Sequence, residues 1–417
     1  MQVHQTEHQT EYTSALSSIT PASIRLSSLG SRFSLAFLGS WLCSLTTKFL
    51  IFSSGRKLKR RLQRTAKKHN LFLMLGAGFI FGVIYPYPGK SIGQIDFREW
   101  QVVATVCPFL IFLINGLMLK FGDLKRAIGN WKLAVFAIFS IHFLTMFLGY
   151  LPLEITLQHD EYQMGFALFL CMPTTLASGV AVVNNANGNA SLALLLTVIS
   201  NLFGISTVPF TVFLLLSKAS ELKITPGRIL IKLFVSILIP FLLGVGIQAS
   251  CYYADIHKQF CSFVDKHKME IKLFSNLCLA VVLWTNFSNA AIDLRAISLL
   301  QILLLATIGI TLHLLLLFFH GVVMVILQIH KGSPREFLAV LFMASQKSLL
   351  FAATVISFFT ADQVEKPSML VIPCIFVYTS QTLIDAMLSS ILNSRFHDLF
   401  QAADFQEEVT QTNSFEI

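Results

Sequence analysis

FMASQKSLLFAATVISFF, residues 342–359, places four consecutive polar side chains between two apolar runs. The polar residues are Ser345, Gln346, Lys347 and Ser348. A lysine in the middle of a membrane segment costs about 2.5–3.5 kcal/mol on insertion scales, so it usually faces a cavity or a partner. Broken helices are tolerated in a membrane only where protein or a cavity surrounds them. The stretch therefore predicts an interrupted membrane helix whose polar residues lie at an internal site.

The composition of the whole chain indicates a polytopic membrane protein. Of its 417 residues, 54% are hydrophobic and only 13% are charged, which argues against a soluble globular class. Residues 1 to 70 hold 11 of the 31 Lys and Arg residues and 2 of the 22 Asp and Glu residues, so they carry the net charge of +9. Nothing in this distribution predicts a nucleic-acid-binding face. The seven cysteines form no CxxC pair, which argues against a zinc site or a disulfide framework.

The N-terminal part resembles an organellar transit peptide. Residues 13 to 54 are rich in Ser and Thr and contain no acidic residue, the last one before them being Glu11. The apolar stretch 35–52 leaves open a signal anchor or an extra helix instead. The next stretch, 56–68, holds eight basic residues, and the positive-inside rule keeps it on the cytoplasmic or stromal side of the membrane.

Ten apolar stretches are long enough to cross a hydrocarbon core of about 30 Å. We number them segments 1 to 10: 71–86, 102–121, 131–152, 164–184, 190–217, 228–251, 270–290, 296–328, 336–360 and 368–393. Ten crossings place both termini on one side, and the loop charges favour the inside for that side. The polar loop 218–228 divides the segments five and five. Because each half has an odd number, the second half must enter from the opposite side, which is the topology of an inverted repeat.

The predicted fold is thus an all-α polytopic membrane protein of about ten transmembrane helices in two inverted five-helix repeats. The chain is predicted to divide into five parts. A transit peptide with a basic juxtamembrane segment (1–70) is followed by the first repeat (71–217), a linker (218–227), the second repeat (228–394) and a polar tail (395–417).

Segments 4 and 9 are both predicted to be broken, and they occupy the same place in their halves. In segment 4, Pro173 lacks an amide proton and disfavours helix at the residue before it. Paired broken helices are the best sequence indication of a midplane binding site in a secondary transporter. The candidate binding residues at the two breaks are Thr174, Thr175, Ser178, Gly179, Ser345, Gln346, Lys347 and Ser348.

MPTTLASGVAVVNNANGNASLALLLTVISNLFGISTVPF, residues 172–210, resembles the bile acid:sodium symporter family. It is most similar to the branch that includes the plant chloroplast sodium/metabolite cotransporters of the fourth kind. NGLMLKFGDLKRA (115–127) and SQKSL (345–349) resemble the same branch, and the similarity covers about 70–395. The resemblance implies a ten-helix fold with a core domain, which carries two crossed broken helices, and a panel domain.

The resemblance also implies a sodium site. Ser178 and Thr197 match positions that hold sodium in other members, and Gln346 matches a glutamine of the family's ninth helix. Two positions depart from the sodium-binding pattern: Gly179 stands in place of Asn, and Ala193 in place of Ser. Residues 342–359 also hold no acidic residue, where those members have a Glu that bridges two sodium ions.

The function implied is secondary active transport, by alternating access, of a small organic anion with sodium across the chloroplast envelope. The alternatives are sodium-independent transport, proton-coupled or uncoupled, in which Lys347 replaces the bound sodium, and a structural ion pair of Lys347 with Asp385. Another membrane, with the N-terminus cytoplasmic, is the alternative location. A channel is disfavoured because the polar residues concentrate at two breaks. The chain has no HExxH, GxSxG or P-loop motif, so neither an enzyme nor a bound cofactor is predicted.

Overall fold

The computed structural model describes residues 70–97, 100–119, 131–175, 178–219, 226–253, 257–329, 333–359 and 363–414. The predicted transit peptide and the basic stretch 56–68 lie outside these residues. So do residues 220–225 of the polar loop between the halves.

Helices make up nearly all of the described chain. The exception is a short antiparallel pair of strands, Asp96–Phe97 with Trp100–Gln101, in which Asp96 pairs with Gln101. In chain order the helices are Asn70–Ile84, Pro86–Gly93, Val102–Leu117, Trp131–Phe139, Ser140–Leu144 (π), Thr145–Leu148, Tyr150–Leu153, Asp160–Leu170, Ser178–Asn185, Ala190–Ala219, Pro226–Leu233, Phe234–Leu238 (π), Ile239–Tyr253, His257–Lys266, Lys268–Asn289, Ala291–Ala296, Leu299–Ile326, Pro334–Ser345, Leu349–Ile356, Pro367–Leu370 (3-10) and Val371–Ser414.

Seven helical stretches of the described residues are long and apolar enough to cross a membrane. They are Trp131–Leu153, Ala190–Ser217, Pro226–Cys251, Lys268–Asn289, Leu299–Ile326, Pro334–Ile356 and Pro367–Ser394. Val102–Leu117 is a shorter apolar helix. Since each of the seven coincides with a numbered segment, the predicted class, an all-α polytopic membrane protein, is confirmed.

Segments 4 and 9 are each built from two short helices with non-helical residues between them. In segment 4 the helix Asp160–Leu170 ends just before Pro173, and a second helix begins at Ser178. In segment 9 the helix Pro334–Ser345 is followed by extended residues, and Leu349–Ile356 begins after them. The side chain of Ser348 caps this second helix by accepting a hydrogen bond from Phe351 N. Both breaks occur where Pro173 and the polar run predict them.

The segments pack in two groups, with the breaks inside the larger one. Segments 1, 2, 6 and 7 pack against one another, and segments 3, 4, 5, 8, 9 and 10 form the second group. Segment 9 is the most enclosed of the candidate spans, with 94% of its apolar window buried inside the protein. A helix so enclosed has little contact with lipid, which explains how it tolerates a polar break.

Segments 2 and 6 cross at a pair of glycines. A Cβ atom at Gly244 would overlap the carbonyl oxygen of Leu113, and one at Gly116 would overlap the carbonyl oxygen of Phe241. Small residues at such crossings let two helix backbones approach closely. A Cβ atom at Gly246, on the same helix as Gly244, would meet no other atom of the described residues within 4 Å. Gly246 therefore makes no such close contact.

The substitution Gly244→Ala is expected to destabilise the protein by about 1–3 kcal/mol, because the added methyl group would force two backbones apart. The matched control, Gly246→Ala, adds the same methyl group where there is open space and should leave stability unchanged or slightly raised. The thermal midpoint of each purified variant in detergent measures the difference. Equal midpoints for the two variants would contradict the close crossing.

Candidate functional site

The backbone of the segment 9 break is held by one side chain of segment 10. The Gln381 carboxamide accepts a hydrogen bond from Lys347 N at 3.0 Å and donates one to Lys347 O at 2.8 Å. The next amide, Ser348 N, donates to Pro173 O at 2.9 Å, which joins the two breaks directly. Buried backbone groups that lose their helical partners need such replacements. The two breaks therefore form a single hydrogen-bonded unit.

Segment 5 provides the partners for the segment 4 break. Thr174 N donates to Ser200 Oγ at 3.0 Å, and the Asn201 amide donates to Thr174 O at 3.1 Å. The same amide also donates to Thr197 O at 2.7 Å, within its own helix. Asn201 thus fixes the unwound backbone of one segment against the helix of the next.

The side chain of Lys347 is completely buried and points towards segment 3. Its ammonium group donates to Ile141 O at 2.7 Å and to Thr145 Oγ1 at 2.8 Å. Ile141 lies in the π-helical turn Ser140–Leu144, in which Thr145 N bonds to Ser140 O, five residues back. The regular α-helical ladder is thus interrupted where the lysine inserts, as is common at π-turns near functional sites.

The alternative of an ion pair between Lys347 and Asp385 is wrong. Asp385 accepts a hydrogen bond from His313 Nε2 at 2.8 Å and another from Gln346 Nε2 at 2.7 Å. The residue of segment 10 that meets Lys347 is Gln381, one turn earlier, and it binds only the backbone. The carboxylate of Asp385 bonds to His313 of segment 8 and to Gln346, the residue before Lys347, rather than to the lysine itself.

Gly179 allows segment 4 to approach segment 9. A Cβ atom at this position would lie 2.8 Å from the sulfur of Met343 and 3.0 Å from Gln346 Oε1. The space that an asparagine side chain would occupy is therefore filled by segment 9. This packing accounts for the departure from the sodium-binding pattern at position 179.

A cavity of about 620 Å³ lies beside the joined breaks, between the two packing groups. Four of the predicted site residues line it: Thr175, Ser178, Thr197 and Ser348. The hydroxyl groups of Thr175 and Ser178 are hydrogen-bonded to each other, and the Thr197 hydroxyl donates to Ala193 O at 2.8 Å. The other predicted residues, which are Thr174, Gly179, Ser345, Gln346 and Lys347, lie at the breaks but do not line this cavity.

Comparison with known proteins identifies the family. Residues 69–394 match the SBF-like CPA transporter family. The chain belongs to this family. It is a multi-pass membrane transporter, and the resemblance to the bile acid:sodium symporters is confirmed.

Several relatives share most of the family domain. The chain is 34% identical over 343 residues to the probable sodium/metabolite cotransporter BASS4, chloroplastic, of Arabidopsis thaliana, covering 81% of this chain and 76% of the relative. It is 31% identical over 330 residues to the protein of the same name in Oryza sativa subsp. indica, covering 78% and 75%. The Solute carrier RCH1 of Saccharomyces cerevisiae is 24% identical over 200 residues, covering 44% and 45%.

The structure of this family member adds cavity residues that sequence reasoning missed. Asn201 lines the cavity four residues after Thr197, a spacing that places both on one helix face. Lys268 and Lys272 line its other end, although the sequence pattern indicated only loop charges there. Their spacing of four was a usable signal, because it also places them on one face.

Replacing Gln381 with leucine is expected to lower the thermal midpoint, because Lys347 N and Lys347 O would both lose their partner inside the protein. Each unpaired buried group costs about 1–3 kcal/mol. Thr382→Val is the matched control, since the Thr382 hydroxyl donates to Tyr378 O, one turn earlier in its own helix, at 2.7 Å. The midpoints in detergent check this expectation, and a leucine variant as stable as the control would show that the clamp is dispensable.

Proposed function

We propose that this protein is a secondary active transporter that carries a small organic anion by alternating access, with the cavity beside the two breaks as its transport site. The observation that carries the proposal is the hydrogen bond between Ser348 N and Pro173 O, which joins the two broken helices next to a polar cavity. Broken helices that meet inside a membrane protein are the usual substrate and ion sites of secondary transporters.

The proposal includes the predicted architecture and location. The ten segments form two inverted five-helix repeats, 71–217 and 228–394, because the broken segments are the fourth of each half. Residues 1–70 direct the protein to the chloroplast envelope, in line with the names of the plant relatives. The linker is 218–227, and 395–417 is the tail.

In this topology the structure corresponds to a state open to the side of the termini. The cavity reaches Met118 and Leu119 at the end of segment 2 and Asp265 before segment 7, all at the inner ends of their segments. On the opposite side Lys366 forms an ion pair with Asp293 at 2.8 Å. The hydrogen bond to Asp293 raises the pKa of Lys366, so this lysine keeps its charge at neutral pH. Alternating access requires an end state in which the cavity is open on the inner side and the protein is held closed on the outer side.

Sodium is the proposed coupling ion. Three buried side-chain oxygens near the breaks have no hydrogen-bond partner within the described residues: Thr174 Oγ1, Asn201 Oδ1 and Gln346 Oε1. Buried polar atoms are rarely left unpaired, so such oxygens suggest an ion or water in the working protein. Hydroxyl and carboxamide oxygens suit a hard cation, and the plant relatives are named sodium/metabolite cotransporters.

A sodium-independent mode is the second candidate, and the position of Lys347 favours it. Its ammonium group extends from the segment 9 break to segment 3, where two neutral oxygens, those of Ile141 and Thr145, hold it. A fixed cation there would supply the positive charge that a bound sodium supplies elsewhere in the family. In this mode the coupling ion is a proton, or there is none.

Titration with sodium separates the two modes without knowledge of the substrate. We expect NaCl, but not KCl at equal ionic strength, to raise the thermal midpoint of the purified protein. A ligand at a hundred times its Kd stabilises the folded state by about 2.7 kcal/mol. The variant Gln346→Leu lacks one of the free oxygens and should lose the sodium-specific rise. Equal midpoints of the wild-type protein in the two salts would reject sodium coupling and leave Lys347 as the built-in cation.

Breaking the outer ion pair is expected to favour the outward-open state. With native cysteines replaced, the variant Ser178→Cys should react faster with an impermeant maleimide added from the outer side when Asp293→Ala is also present. Because exposed ion pairs contribute little, the rate should rise by no more than about fivefold. The exchanged pair, Asp293→Lys with Lys366→Asp, should restore the slow rate. Unchanged labelling in Asp293→Ala would show that the pair does not hold the outer side closed.

A further inference from the structure

The cavity has a cationic face that does not include Lys347. The residues of the helix Lys268–Asn289 that line it are Lys268, Lys272, Ser275, Asn276 and Leu279. Their spacings of four, three, one and three place them on one helix face. Both lysines are exposed at the inner end of this helix, where long basic side chains reach water. This face therefore indicates a polar path from the cavity mouth inwards.

Segment 2, which packs against that helix, offers a hydrogen-bond donor to the same cavity. Asn115, in segment 2, lines the cavity, and its Nδ2 is buried without a partner in the described part of the chain. An N–H group can only donate, so its natural complement is an acceptor such as a carboxylate or sulfonate oxygen. Cationic side chains and a free donor on two neighbouring helices suit an anion better than a neutral or cationic ligand.

The lysine of the break cannot supply this charge directly. The Lys347 ammonium group is held by Ile141 and Thr145, and it lies outside the cavity lining. The described lining residues include one acid, Asp265, and two lysines, so their formal charge is +1. An anion in the cavity therefore meets positive charge at Lys268 and Lys272.

The remaining walls define the rest of the ligand. Apolar side chains, including Phe112, Ile237, Phe241 and Leu349, also line the cavity. The volume of about 620 Å³ lies within the usual range for small-molecule sites, about 300–1,000 Å³. The walls fit a molecule with an anionic group at one end and an apolar body.

We propose that Lys268 and Lys272 form an anion subsite at the cavity mouth, which binds the carboxylate or sulfonate group of an amphipathic organic anion. This inference rests on the proposed function, since it takes the cavity as the transport site. A lipid phosphate offers similar chemistry. The subsite is nevertheless assigned to a soluble anion, because the face that carries the lysines continues into the cavity through Ser275 and Asn276 towards the breaks.

The test uses the full chain in nanodiscs of phosphatidylcholine, with naphthalene-2-sulfonate as the probe and the neutral naphthalene-2-sulfonamide as its matched control. Calorimetric titration should show that Lys272→Met weakens sulfonate binding by about tenfold, the effect of losing one charged contact. Lys268→Met should weaken it as well, and Lys272→Arg should retain most of the affinity. Lys90→Met, which removes an exposed lysine of another outer loop that does not line the cavity, should have no effect. Sulfonamide binding should be equal in all variants.

Three results would overturn the subsite. They are no sulfonate binding by the wild-type protein, equal affinity of wild type and Lys272→Met, and equal weakening by Lys90→Met. Nanodiscs that also contain phosphatidylglycerol distinguish the lipid source: lysine-dependent retention of that lipid, without lysine-dependent sulfonate binding, assigns the lysines to the membrane surface.

Uptake into proteoliposomes separates this inference from the proposed function. Lysine-dependent binding without saturable uptake of the sulfonate would confirm the subsite and contradict transport of this anion. Saturable uptake with the same KM in wild type and Lys272→Met would support transport and overturn the subsite. An increased KM in Lys272→Met, restored by Lys272→Arg, supports both.

Discussion

The need of buried backbone groups for hydrogen-bond partners governs the centre of this protein. Opening a helix inside a membrane frees amide and carbonyl groups that lipid cannot satisfy. Here the freed groups of segment 9 bond to Gln381 and to Pro173 O, and those of segment 4 bond to Ser200 and Asn201. Each break is thus satisfied partly by the other break and partly by a neighbouring helix. The positions of segments 5 and 10 follow from this requirement.

Buried charge is arranged in the same way, with each group given its own partners. Among the described residues, Lys347 and Asp385 are completely buried charged side chains, and they are not paired with each other. The lysine is held by two oxygens of segment 3, whereas the aspartate is held by His313 and Gln346. An ion pair between them would have fixed segment 9 to segment 10 through their charges. Because the two residues bond separately, the break is connected to segment 3 through Lys347 and to segments 10 and 8 through Gln346, Asp385 and His313. A change at the site can therefore affect all three segments.

The cavity combines groups from both packing groups of helices. Thr175, Ser178 and Ser348 come from the broken segments, whereas Lys272 and Asn115 come from segments 7 and 2. A ligand that touches both walls would respond to any relative movement of the two groups. This is the arrangement that the proposed alternating access needs, because binding then couples to the motion of one group against the other.

Much of the architecture was readable from local sequence patterns. The lengths of the apolar stretches predicted the helices, since a bilayer fixes how many apolar residues a crossing needs. Pro173 and the run from Ser345 to Ser348 predicted where two of them break, because proline geometry and polar residues act locally. The family motif at 172–210 predicted the family, which the comparisons confirm.

The direction of each side chain was decided only by the tertiary structure. The sequence placed Lys347 at the break, but its partner Ile141 lies 206 residues away, and no local pattern joins the two. For the same reason the sequence suggested Asp385 as a partner of Lys347, whereas in the structure Asp385 bonds to His313. The sequence indicated Lys268 and Lys272 only as charges of an inner loop. Their position on a cavity wall depends on how segment 7 packs. Local sequence determined which residues are apolar or charged and where two helices break. Contacts between distant segments decided which of these residues meet, because those contacts depend on how the helices pack.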